Sequence, residues 1–228
     1  MEIRFMVRSL AAVAVSAALA VPALADTVIL NNFTYLPASS VNVTDSTGPD
    51  YSGQAGQFSG VLNGNAFVTF CTEIGQTFNF NQMTSALNTY SVISGSTAWG
   101  AAKSTAIDQL MSYASSMSLP NNANTSAAVQ SAIWEVLNED GPSYSFITGN
   151  FLASSSTAAT QTALNSMNLV LASLGSQAIT QHVDQLHNGT QQDFLVMAPV
   201  PEPETYAMLL AGLGIVGAVA RRRRSAEA

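Results

Sequence analysis

An α+β fold is predicted for this chain, with antiparallel β-sheet or sandwich structure toward both ends and a helical insert of about three helices between them. Three observations predict it. Asn63-Gly64 separates two runs with strand character, and that dipeptide favours the tight turn of a hairpin. The apolar period then switches from 2 to 3.6 in three successive stretches. Short β-type runs return after residue 177.

Taken in order, Thr27-Val28-Ile29-Leu30 reads as the first strand. The stretch from Asn31 to Gln57 is rich in Ser, Thr, Asn, Gly and Pro, and reads as short strands and loops. Gln57 to Leu62 and Ala66 to Ile74 form the hairpin arms. On the second arm, alternation puts Phe67, Thr69, Cys71 and Glu73 on one face, and Ala66, Val68, Phe70, Thr72 and Ile74 on the other. Trp99 to Met117 is a helix with Ile107, Leu110, Met111 and Ala114 inward, ended by Leu119-Pro120-Asn121. Thr125 to Asn138 is the second, with Thr125 as N-cap, an apolar stripe of Val129, Ile133, Val136 and Leu137, and Gly141-Pro142 beyond. Tyr144 to Phe151 reads as a loop or turn. Thr157 to Leu174 is the third helix, closed by Gly175, with Leu164, Met167, Leu171 and Leu174 inward. Gln177 to Val183 and Gln192 to Ala198 are returning strands.

The chain has 228 residues, room for one ordinary domain or two small ones, and only 9% of them are charged. Neutral polar side chains solvate its surface, as in exported and matrix proteins. Between Asp26 and Ala198 there are ten acidic residues and one basic residue, Lys103, which excludes nucleic acid as a partner.

Both ends read as addresses. Residues 1–25 are a secretory signal peptide: Arg4 and Arg8 supply the positive start, Leu10 to Val21 the apolar core, and Ala23-Leu24-Ala25 a cleavage site before Asp26. The exported domain then runs from 26 to 198. The tail, 199–228, joins Pro201-Glu202-Pro203 to an apolar run from Tyr206 to Ala220 and to Arg221-Arg222-Arg223-Arg224. Fifteen apolar residues reach about 22 Å as a helix, a short transmembrane segment whose arginine block holds its end in the cytoplasm. These elements in this order resemble the PEP-CTERM sorting signal. The resemblance implies processing by an exosortase-type membrane protease, transient residence in the inner membrane, and release to the surface or extracellular matrix of a Gram-negative bacterium.

Chemistry centres on the single cysteine. An exported lone Cys71 forms no intrachain disulfide, which leaves a buried inert thiol, an intermolecular disulfide or a chemically consumed sulfur. Phe70-Cys71, followed 59 residues later by Gln130-Ser131-Ala132-Ile133-Trp134, resembles the bacterial surface thioester domains, with Val129 in place of that family's usual Thr. The resemblance covers roughly residues 55–140. It implies a covalent Cys71–Gln130 bond, shielded by Phe70 and Trp134, that attaches to an amine or hydroxyl on a surface protein or extracellular polysaccharide. Glu73, on the face of Cys71, is the candidate acid/base. His182 and His187 read as structural or surface groups, with assistance to acyl transfer as the alternative. Asp45, Asp50, Glu139 and Asp140 read as turn and cap carboxylates. No metal ligand set, cofactor motif, P-loop or catalytic triad is read, so the chain is expected to be an adhesive or matrix protein and not an enzyme. A non-reactive structural protein of the exopolysaccharide, or biofilm, matrix is the other reading.

Overall fold

A computed structural model describes residues 26–76, 78, 80, 89–141, 143–199 and 212–213. Its elements run β1 (Asp26–Phe33), β2 (Ser40–Asp45), β3 (Tyr51–Gln54), β4 (Phe58–Leu62), β5 (Asn65–Thr69), β6 (Thr89–Ile93), α1 (Gly95–Trp99), α2 (Ala101–Ser116), α3 (Ala123–Asn138), β7 (Phe151–Ser154), α4 (Ala158–Ala172), β8 (Gln181–His187) and β9 (Phe194–Pro199). A single 3-10 turn, Leu174–Ser176, follows α4. The α+β class is as predicted, with all strand pairs antiparallel.

Six strands form one sheet in the order β5-β4-β1-β6-β8-β9, and three form a second, β3-β2-β7. The β4–β5 hairpin is the one the sequence announces. Asn63 and Gly64 both have positive φ, 51° and 83°, as the favoured two-residue hairpin turn requires. The outer strands of the large sheet meet beyond the end of β5. There Cys71 bridges Phe194, with Thr72 N–H donating to Asp193 O at 3.0 Å and Leu195 N–H to Phe70 O at 3.0 Å. A seam thus joins the two edges of the sheet, and Cys71 is in it.

α3 is the buried axis of the molecule. Every residue from Ser126 to Val136 is buried, so the expected apolar stripe is in fact burial all round. The helix packs against α2, α4, β2 and β7. Its N-cap is Asn122, whose side chain accepts from Asn124 N–H and Thr125 N–H; Thr125, read as the cap, is the third helical residue and completes a capping box. Gly56 brings the chain before β4 against α3. Its φ is +150°, and a Cβ there would lie 2.6 Å from Ser126 Oγ, the same oxygen that accepts from Gln57 N–H at 2.7 Å.

Other expectations are corrected. The hairpin arm stops at Thr69, so Cys71 and Glu73 stand past the strand and the alternation of faces ends there. Thr69 to Thr72 are buried consecutively, because the chain crosses from β4 to the seam with β9. Phe151, placed in a loop, is fully buried and opens β7, which pairs with β2. The returning strand starts at Gln181 and runs to His187. Strand β6 and the short α1 were not anticipated.

Candidate functional site: the Cys71–Gln130 clasp

Gln130 projects from the middle of α3 onto the seam. In an extended chain, successive backbone groups face opposite sides. Phe70 C=O accepts from Leu195 of β9 and Thr72 N–H donates to Asp193 just before it, so the N–H and C=O of Cys71 face the other way, toward the edge left bare beyond the Phe58–Thr69 pair that ends the β4–β5 ladder. The Gln130 amide fills that place. Cys71 N–H donates to Gln130 Oε1 at 3.0 Å, and Gln130 Nε2–H donates to Cys71 C=O at 2.8 Å. Both residues are buried, Gln130 at 1% and Cys71 at 5% exposure. The two predicted partners are brought together, 59 residues apart in sequence.

Their side chains line a cavity of about 190 Å³, shared with Tyr51, Phe58, Glu73, Phe78, Trp134 and Gln192. Trp134 is one of its walls, with the Tyr51 ring edge-on at 5.3 Å. Phe70 is buried in the core beside the site. The sequence reading missed Tyr51, Phe58, Phe78 and Gln192 as lining, since only the fold makes them neighbours of Cys71.

Electrostatics keep the thiol neutral. Burial pushes the Cys71 thiol well above its ordinary value, and the nearby Glu73 carboxylate pushes it further. Glu73 is itself raised, by burial first and by Asp193 second, against the lowering influence of the Asp193 N–H and of His187. Its Oε2 accepts from Asp193 N–H at 3.3 Å and its Oε1 from Gln76 Nε2 at 3.3 Å. Lys103, the only amine of the domain side chains, is held at the far end of α3 by Leu137 C=O at 2.8 Å and Asp140 at 3.1 Å.

The two histidines have separate carboxylate partners. His182 Nδ1 lies 2.8 Å from Asp108 and His187 Nδ1 2.7 Å from Asp193, both rings half-exposed. Among the described residues, no three of His, Cys, Asp and Glu are grouped to hold a metal ion. The turn carboxylates do local work. Asp45 accepts from Thr47 N–H, Asp50 from Asp45 N–H, and Glu139 from Asn150 N–H.

The expected sorting elements, Pro201-Glu202-Pro203 and Arg221 to Arg224, lie outside the described residues, as does Ala25 at the signal cleavage site; Asp26 begins β1. Of the apolar run only Gly212 and Leu213 are described, and both are helical. Among the described residues no helix is long and apolar enough to cross a membrane. Residues 199–224 match the family model of the PEP-CTERM protein-sorting motif. The tail is a PEP-CTERM signal. A PEP-CTERM tail implies export, exosortase processing and sorting to the surface or exterior of a Gram-negative bacterium. No curated protein and no solved structure matches the chain.

Proposed function

We propose that the exported domain carries an internal thioester between Cys71 and Gln130, and that it uses this bond to attach covalently to an amine or hydroxyl on a surface protein or extracellular polysaccharide. The observation that carries the reading is the paired hydrogen bonding that fixes the Gln130 carboxamide against Cys71, inside a cavity walled by aromatic rings. In the forming step, Cys71 Sγ adds to Gln130 Cδ, and the developing oxyanion at Oε1 keeps the Cys71 N–H donor it already has. The Cδ–Nε2 bond then breaks. The thiol proton passes through Glu73 to the leaving nitrogen, and ammonia departs. In the attaching step an amine or hydroxyl on the partner takes the acyl group, and the sulfur returns as a thiol. The protein is used once per attachment and is a binding module rather than an enzyme. Phe70 and Trp134 help to exclude water from a bond that water would cleave.

Purified mature domain should weigh about 17 Da less than its sequence, the mass of one ammonia lost in acyl substitution. Methylamine should then add at Gln130 and free the Cys71 thiol, and Cys71→Ala or Gln130→Ala should abolish both signals. A full sequence mass, with a thiol that alkylates in unfolded protein without prior amine, would sink the thioester.

A second reading has its own support. The Gln130 amide satisfies two backbone groups of Cys71 that the end of the β4–β5 ladder leaves bare, which is reason enough for a buried glutamine. The domain is then a non-reactive structural protein of the exopolysaccharide matrix, with Gln130 as a stitch in the sheet.

A further inference from the structure

Cys71 belongs to no strand, so its position is inherited from what the seam is tied to. The backbone on either side of it bonds Asp193 and Leu195. Asp193 does more than lend a carbonyl. Its side chain is 3% exposed and gathers three donors from the end of β8 and the turn beyond: Asn188 N–H at 2.7 Å, His187 Nδ1 at 2.7 Å and Gln185 Nε2 at 3.0 Å. Its own N–H reaches Glu73 Oε2, and its C=O accepts from Thr72 N–H. The Gln185 amide is shared with Thr72 Oγ1 at 3.3 Å, and Gln192 Nε2 holds Glu73 C=O at 3.0 Å. Asp193 therefore ties the β8 end, through its buried carboxylate, to Thr72 and Glu73 on the C-terminal side of Cys71, while Phe70 on the other side bonds Leu195, two residues on.

We propose that Asp193 is the positioning residue of the site: it locks the 188–193 turn in one geometry and so sets the placement of Cys71 against Gln130, a role that bears on reactivity only where the thioester proposed above forms. The physical reason is that a buried carboxylate holds its donors tightly. Charge-assisted bonds are the strong ones, and releasing any donor leaves charge uncompensated in a water-poor interior. The turn consequently cannot drift, and residues 193 and 195, which flank the Cys71–Phe194 bridge, cannot drift with respect to β8. Acyl substitution is sensitive to misplacement on the ångström scale, so a site built outside a strand needs such an anchor. His187, half-exposed, is the end of this network nearest to solvent.

The test reads how often the seam opens. Wild type, Asp193→Asn and a control, Leu164→Ala, are each treated with methylamine so that the Cys71 thiol is free in every protein. Leu164 is fully buried in α4 and makes none of the seam bonds, so its truncation lowers stability without touching the network. Iodoacetamide alkylation of Cys71 is then timed under native conditions, with each protein held equally far below its melting temperature. Asp193→Asn should alkylate about tenfold faster than wild type, the effect of losing one charge-assisted bond, and faster than the control. A rate equal to wild type, or no faster than Leu164→Ala, would overturn the assignment. Should Asp193→Asn not fold, His187→Ala carries the same comparison. Its half-exposed ring can be removed without a cavity, and an increase of about threefold is expected from one lost donor. An unchanged rate there would likewise overturn it. The ammonia mass loss of untreated wild type is read separately, so absence of a thioester and failure of the positioning role give different results.

Discussion

Glu135 has no exposed surface, yet it stands on α3 one residue past Trp134. Its Oε1 accepts from Ser145 N–H at 2.6 Å, and its Oε2 has no partner among the described residues. Burial lifts its pKa from 4.5 to about 8; the Ser145 bond lowers it, and Glu139 and Asp45 raise it further. The folded protein thus keeps a proton that the unfolded chain gives up near 4.5. Stability from this group is complete below that value, falls as pH rises toward 8, and levels off above it. Thermal unfolding followed from pH 5 to 9 should show that decline, at most about 1.4 kcal/mol per pH unit for one proton. Glu135→Gln, which keeps an acceptor for Ser145, should flatten it; an unaltered slope would assign the decline to other groups. Glu135 was not singled out in the sequence, since it lies off the stripe of Val129, Ile133, Val136 and Leu137. Its full burial depends on the 143–151 segment folding over the end of α3, which no local pattern announces. Cys71 and Gln130 were legible from their flanking residues, whereas Asp193 and Gln192 act through a seam between β5 and β9 that no local pattern encodes.

At the scale of elements, local signals located what local physics controls. The Asn63-Gly64 turn, the spans of α2 and α4, and the first hairpin arm follow from turn chemistry and apolar spacing, whereas the second arm was drawn to Ile74 and ends at Thr69. The start of α3 was misjudged because Thr125 and Asn122 both suit a cap, and only the bonds made by each decide the matter. Asn122 Oδ1 accepts from Asn124 N–H at 2.9 Å and Thr125 N–H at 3.0 Å, and Thr125 Oγ1 accepts in return from Asn122 N–H at 3.2 Å. Asn122→Ala should therefore destabilise the domain by about 1 kcal/mol, and Asn122→Gly by only a few tenths, as a shifted midpoint in urea with unchanged slope. Equal costs for the two would argue against the cap. The shifted start of β8 has a tertiary cause: Ser112 Oγ on α2 accepts from Thr180 N–H and Gln181 N–H and delivers the chain into the sheet there. Strand β6 was missed because Thr89–Ile93 becomes a strand only through β1 on one side and β8 on the other.

For the whole molecule, what matters is that the folded domain and its sorting signal adjoin in the chain. β9 ends at Pro199, the residue where the sorting motif begins, so the folded domain abuts its own processing signal with almost no spacer. Pro201 and Pro203 carry no backbone N–H, so neither can donate to a β-ladder. The sequence expectation is an apolar run too short for a permanent anchor, with Arg221 to Arg224 holding its end on the cytoplasmic side. Cutting near Pro201 to Glu204 would free the domain just beyond β9 and leave the seam and the Cys71–Gln130 clasp within the released part. In the native host, the extracellular form should accordingly end before Tyr206. Mass spectrometry of that fraction should recover peptides from the domain and none from residues 206–220. Deleting Arg221 to Arg224 alone should leave the tail uncut or the protein mislocalised, since the arginine block is the element expected to orient the run. Extracellular protein that still carries residues 206–220 would mean that the tail is retained, and that the domain reaches its destination by another route.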